Sequence, residues 1–276
     1  MSRPVPSLGT FAAIGESARQ TAALSLRDRL WWIVAAAMLV FALLAYVLAG
    51  RAHERVHGRD LFCLLAWWLH GTVVVPWLTL YLGVQAVHGR IEDRTFQYLF
   101  LRPVGRVPLL LGTWLAVTAA ASVASTVGVL LLFGAVAARR DLWVDGVEWQ
   151  LAGSFAVVLT MSAAAYAAAA MFFAAHFRRP LVWAAFFVVG LQTLAANLPV
   201  SAGLRGLTIT DPLRRMLLDL IEPDRRLVGL LWPAERDFEL DLVGHPGRDL
   251  TIFAVIALLA ACWCYSRTEY DSRERE

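Results

Sequence analysis

Six long apolar stretches decide what this chain can fold into. A hydrocarbon core of about 30 Å takes roughly 20 apolar residues in helical form. Residues 30–48, 61–87, 107–137, 151–177, 180–198 and 250–265 answer to that requirement, the third long enough to tilt or protrude and the last rather short. Inside hydrocarbon no water is available to backbone amides, so each stretch has to bond its own, as a helix does. Composition agrees. Hydrophobic residues make up 59% of the 276 and charged residues 17%, against about 45–50% and about 25% in soluble domains. The expected fold class is an all-α polytopic membrane protein with six transmembrane helices, occupying 30–266.

All 25 basic residues are arginine. Without lysine there is no phosphate-binding lysine of a Walker A loop and no amine for Schiff-base chemistry. Any ATP used is therefore bound by another chain. GxSxG does not occur, so serine-hydrolase chemistry has no footing; one HExxH does, His53-Glu54-Arg55-Val56-His57, in the connection between the first two apolar stretches. Cys63, Cys262 and Cys264 all fall in apolar stretches, which suits buried thiols better than a disulfide framework. No short apolar core near residues 10–20 precedes a small-residue cleavage site, so no cleavable signal peptide is expected.

Arginine placement orients the helices. With both termini cytoplasmic, the inner side receives Arg3, Arg19, Arg27 and Arg29, then Arg90, Arg94, Arg102 and Arg106, the turn Arg178-Arg179, and the tail 267–276. A bacterial-type cytoplasmic membrane is the expected location. Residues 1–29 hold Phe11, Ile14, Ala18 and Ala22 at helical spacing. That pattern suits a helix lying in the cytoplasmic interface, with a disordered tail as the alternative. In the outer segment 199–249, Asp211 and Pro212 look like an N-cap and first helical residue. An apolar stripe of Leu213, Met216, Leu217, Leu220 and Ile221 follows. Two readings stand: helices re-entrant or interfacial on the outer face, or a solvated loop carrying an amphipathic helix.

Polar residues are rare in the spans. His70 lies in "WWLHGTVVVP" six residues before Pro76. An intramembrane histidine is either functional or a neutral ring bonded to a neighbouring helix, and the proline is expected to kink its span. Gln192 and Asn197 either line a pathway or join helices by hydrogen bonds. The run "MSAAAYAAAAMFFAAH" supplies small residues for close helix packing.

The strongest local signal lies between the second and third spans, in "GRIEDRTFQYLFLRPVGRVPLLLGTWL". Ile91, Phe96, Leu99 and Phe100 fall on an apolar side. Glu92 and Asp93 sit where a helix N-terminus favours acids, and Arg102-Pro103 ends the helix because the residue before proline avoids the helical region. The spacing predicts a short amphipathic helix in a cytoplasmic loop over 88–107.

Glu92-Asp93-Arg94-Thr95, Tyr98-Leu99, Arg102-Pro103-Val104, Arg106 and Leu111-Gly112 together resemble the permease subunits of ABC-2-type ATP-binding cassette transporters. There an E-x-G-T-L-x-x-L helix precedes an R-P-V-x-R turn and a leucine-glycine-lysine entry into the next span. Arg94, Phe96 and Thr113 stand where that pattern has glycine, leucine and lysine. The resemblance implies a coupling helix that docks on a separate ABC-type ATPase through Glu92, Asp93, Arg94, Thr95, Phe96, Tyr98, Arg102, Pro103 and Arg106. It implies a permease homodimer or heterodimer in membrane lipid, no nucleic-acid partner, and export as the family tendency. ATP and Mg belong to the partner ATPase; this chain is expected to bind no cofactor or metal and to carry no catalytic residue. Two rival classes are a non-transporting membrane anchor for an ATPase and a lipid-modifying membrane enzyme, for which His70, Gln192 and Asn197 make a poor set.

Overall fold

A computed structural model describes residues 9–51, 57–89, 105–143, 147–195, 208–221, 229 and 245–267. Its most enclosed helix is α5 (Trp149–His176), 67% buried over its most apolar window. Around it stand α2 (Leu30–Arg51), α3 (Gly58–Val87), α4 (Arg106–Ala137) and α8 (Pro246–Arg267). These five are long and apolar enough to cross a membrane, and no strand occurs among the described residues. The chain is an all-α, multi-pass membrane protein in this sense. Shorter helices complete it: α1 (Thr10–Ser25), α6 (Pro180–Phe186, continued by π-helical turns over Phe187–Ala195) and α7 (Thr210–Leu220).

Between lipid-facing helices the hydrophobic effect gives little drive, so backbones must come close enough for van der Waals contact, and small residues allow it. Every alanine from Ala167 to Ala170 is buried in α5. Gly83 of α3 lies against Ala170, where a β-carbon at 83 would stand 2.5 Å from that methyl. Hydroxyls inside the helices bond their own turn: Thr72 to the Trp68 carbonyl, Ser125 to Ala121 and Thr160 to Ala156. This answers the lack of water without a partner helix.

Two hydrophobic cores are stacked along the bundle. One joins Ala45 and Ala49 of α2, Phe62 and Trp67 of α3, Leu132 and Phe133 of α4, Phe155 of α5, Leu213 and Leu217 of α7, and Leu250 of α8. The other joins Met38, Val84 and Val87, Leu110 and Val117, Ala174 and Ala175, Cys264 and Tyr265. Followed from core to core, α2 and α4 run one way; α3, α5 and α8 run the other. The second core marks the end of the bundle from which residues 90–104 depart, called here the loop end.

α4 spans 32 residues, about 48 Å as helix, well beyond a hydrocarbon core of about 30 Å. Its first turns are the part covered by α1. Ser17 donates to the Leu109 carbonyl at 2.9 Å, and Gly112 leaves room for the α1 backbone at Ile14, with Ser17 Cβ 2.7 Å from where a β-carbon would stand. The buried stripe of α1 is Ala13, Ser17 and Thr21, whereas Phe11 is 90% exposed. Asp28 accepts from the Leu30 N–H at the start of α2, and Trp31 Nε1 donates to the Ser25 carbonyl at 2.7 Å, fixing the α1–α2 corner.

The α5–α6 corner follows its sequence. Phe177 and Arg179 leave the helical region, and Pro180 opens α6 at the first position, where a missing N–H costs nothing. Phe177 stacks on Trp183 at 4.8 Å, and Phe173 meets Phe187 at 5.3 Å. Of the three cysteines, all free, Cys63 and Cys264 are buried and Cys262 is half-buried.

Gly112→Leu forces the α1 backbone away from α4, at a cost of about 1–3 kcal/mol for overpacking. A cysteine placed at Ser17, 3% exposed in the native packing, is expected to react with maleimide about tenfold faster in that background. Unchanged labelling would show that α1 is not held at Gly112.

Candidate functional site

The loop 90–104 is framed by described helices on both sides. The last turns of α3 (Val84, Val87), the first of α4 (Leu110) and the final turns of α5 and α8 share one core at its base. Arg106, the first residue of α4, donates to the Ser266 carbonyl at 3.3 Å and so ties the loop's exit to the end of α8. Beside it His176 stacks on Phe172 with centroids 5.5 Å apart, and Cys264 Sγ lies 3.8 Å from His176 Nδ1. Glu92, Asp93, Arg94, Thr95, Phe96, Tyr98, Arg102 and Pro103 lie outside the described residues, as does Asn197; Arg106, His70 and Gln192 lie within them.

Position 113 lies in the same covered contact between α1 and α4. Thr113 is 2% exposed, beneath α1, and its hydroxyl donates to the Leu109 carbonyl that also accepts from Ser17. A small hydroxyl fits there. A lysine would carry its ammonium into a covered helix contact, at a desolvation cost.

A second polar group lies deeper, at the N-terminus of α7. Gln192 Oε1 accepts from the backbone N–H of Ile209 at 2.8 Å and of Thr210 at 3.2 Å, and from the Thr210 hydroxyl at 3.1 Å. First-turn amides have no partner within their own helix, and in this apolar surrounding Gln192 supplies one. Tyr166 of α5 lies beside the Thr210 side chain. Tyr166 stands about 25 Å along α5 from Trp149 and about 15 Å from His176, so α7 starts well inside the bundle. Residues 208–214 are all buried.

Arg214 is fully buried, its guanidinium 5.5 Å from the Trp67 ring of α3, and Asp211 pairs with Arg215 at 2.9 Å. Periodicity did not announce Arg214. The expected stripe had Met216 and Leu220 facing inward, but Leu220 is 38% exposed and Arg214 takes the inner face. Asp211 does not cap the helix either. α7 begins at Thr210, and the Thr208 hydroxyl accepts from the Asp211 N–H at 3.2 Å while the Asp211 carboxylate turns to Arg215. The available signal was the Asp211–Arg215 spacing, which pairs those side chains and turns Arg214 elsewhere.

His70 sits between these regions, inside a π-helical stretch of α3 over Ala66–Val74. The Val75 N–H bonds back five residues to the His70 carbonyl. Pro76 follows at once, lacking an N–H and crowding the carbonyl four residues earlier, so a wider turn relieves the span without a break. The imidazole is fully buried, edge-on to Phe41 at 6.2 Å, and neither ring nitrogen finds a hydrogen-bond partner among the described residues. Gly128 of α4 makes the space, since a β-carbon there would be 2.5 Å from Nε2. The neighbouring-helix hydrogen bond anticipated for this histidine is absent among the described residues; steric fit to a glycine stands in its place. No group of three His, Cys, Asp or Glu side chains able to hold a metal ion occurs among the described residues.

Comparison with protein-family models and with curated proteins finds no match to this chain.

Gln192→Met removes the acceptor of two buried backbone N–H groups, each worth about 1–3 kcal/mol when stranded. The detergent-solubilised protein is expected to lose roughly 5 °C or more in Tm, and Thr210→Val, which leaves both amides satisfied, distinctly less. Equal losses would contradict the capping role.

Proposed function

We propose that this chain is the membrane-spanning permease subunit of an ATP-driven ABC-2-type exporter and couples to a separate ATPase. The observation that carries the reading is the stretch from Glu92 to Gly112, in which an acid-headed amphipathic segment, an Arg-Pro stop and a Leu-Gly entry follow in the order that family uses. The base of the loop lends mechanical support. α3, α4, α5 and α8 pack in one core there, and Arg106 is bonded to the end of α8, so a push on the loop reaches four helices and α1 together.

Direction along the bundle supports six crossings. α5 and α8 run the same way between the two cores, so the chain between them crosses once more, and the apolar helix Pro180–Gln192 leaves from the loop end. In this reading residues 90–104, the Arg178-Arg179 turn and both termini are cytoplasmic. α7 is then a re-entrant helix on the outer half, packed in protein where its backbone enters the membrane.

ATP binding would draw two ATPase chains together, and the segment 92–101 would carry that motion into α3 and α4 of each permease. Glu92, Asp93, Arg94, Arg102 and Arg106 serve as charged contacts; Phe96, Tyr98 and Phe100 pack into the ATPase or the bilayer surface. Gln192 and His70 are assigned to helix joining and packing, since the amide is engaged by α7 and the imidazole by Gly128.

The test is co-purification of the tagged protein from its native membranes, with and without the double charge reversal Glu92→Arg/Arg102→Glu. A stoichiometric ABC-type ATPase is expected with the wild type, reduced at least about tenfold in the variant while membrane insertion is unchanged. An ATPase retained equally by the variant would overturn the assigned contacts, and its absence from the wild type would overturn the reading.

A further inference from the structure

The loop end carries a feature that transport coupling does not use: an apolar groove of about 830 Å³ between α1, α2 and α4. We propose that it holds one acyl chain of an anionic phospholipid, with the headgroup at the arginines of the α1–α2 turn. Its walls include Ala22 of α1, Trp31, Ala35 and Met38 of α2, and Ala119 and Val123 of α4. Ala35, Ala119 and Val123 are exposed, so the groove opens sideways, toward lipid for a bundle of membrane-crossing helices.

Its interior asks for an occupant without hydrogen bonds. Ser25 is the one hydroxyl-bearing residue of the wall, and its Oγ donates to the Ala22 carbonyl while its own carbonyl accepts from Trp31 Nε1. Along α4 the groove runs from Leu115 to Val127, about 18 Å as helix, close to the depth of one leaflet, about 15 Å. A single acyl chain matches that length and the small alanine-lined cross-section.

Charge at the mouth selects the headgroup. Arg19 lines the groove but is paired with Glu16 at 2.8 Å. Arg27 and Arg29, in the turn between two lining residues, Leu26 and Trp31, are exposed and form no ion pair among the described residues. Asp28 between them accepts from the Leu30 N–H at the head of α2. The turn therefore keeps a net positive charge. A guanidinium pair matches a phosphate better than a zwitterion whose choline it repels, and Trp31 lies where a tryptophan favours the lipid–water boundary. The inference rests on the membrane-crossing helices and holds whether or not an ATPase docks below.

The experiment is native mass spectrometry of the delipidated full-length protein in detergent, titrated with phosphatidylglycerol and phosphatidylcholine of identical acyl chains. The wild type is expected to retain one phosphatidylglycerol with about tenfold preference over phosphatidylcholine. Ala119→Phe, which fills the groove from an exposed wall position, lowers phosphatidylglycerol binding about tenfold. Val189→Phe, on the exposed face of α6, leaves it unchanged and controls for added aromatic surface. Arg27→Gln/Arg29→Gln abolishes the headgroup preference. Binding that survives Ala119→Phe, or shows no headgroup preference in the wild type, overturns the proposal. So does an Ala119→Phe variant that shifts from dimer to monomer with its lipid count unchanged, which would assign the groove to a second copy of the chain.

Discussion

Close approach of helix backbones at small side chains is the constraint on which the rest of this bundle depends. In a bilayer the alternative to a helix contact is a lipid contact of similar polarity, so cohesion comes from fit. Gly83 against Ala170 seats α3 on α5, Gly112 seats α1 on α4, and Gly128 admits the imidazole of His70 between α3 and α4. Remove any of these and the neighbouring elements lose their spacing. The polar node at α7 depends on that spacing too, because Gln192 reaches the Ile209 and Thr210 amides only while α6 and α7 stay packed against α5.

The long helices were legible because length and hydropathy alone define them. The stretches 30–48, 61–87, 107–137, 151–177 and 250–265 match the observed helices Leu30–Arg51, Gly58–Val87, Arg106–Ala137, Trp149–His176 and Pro246–Arg267 to within four residues at either end, charged or capping ends being where hydropathy says least. The stretch 180–198 is described as helix to Ala195, with its apolar part at Pro180–Gln192. Facing was much less legible. A helix apolar all round has no moment to read, and small residues take the inner positions for reasons of fit. In α1, which is amphipathic, fit also decides: it buries Ala13, Ser17 and Thr21 while Phe11 points outward.

The site shows the same division. Gln192 was visible as a polar residue in an apolar stretch, but its partners are 17 and 18 residues away along an intervening segment, and no local pattern encodes that pairing. Arg214 was hidden by its charge, since an arginine on an amphipathic helix is ordinarily assigned to the solvated face. Its burial needs Trp67, a residue on another helix. His70 was flagged by rarity, and the glycine that accommodates it lies on α4, far along the chain. The pattern of charge, apolar spacing and proline over 92–104 lies outside the described residues.

One geometrical claim underlies the functional account: the 90–104 loop is on the cytoplasmic side, where an ATPase can reach it. The direct measurement is cysteine accessibility in intact cells, using Gln97→Cys in a background with Cys63, Cys262 and Cys264 replaced by alanine. The account predicts no reaction with a membrane-impermeant maleimide until the membrane is permeabilised, and full reaction afterward. Labelling at position 97 from outside intact cells would invert the bundle and remove the basis for docking a cytoplasmic motor.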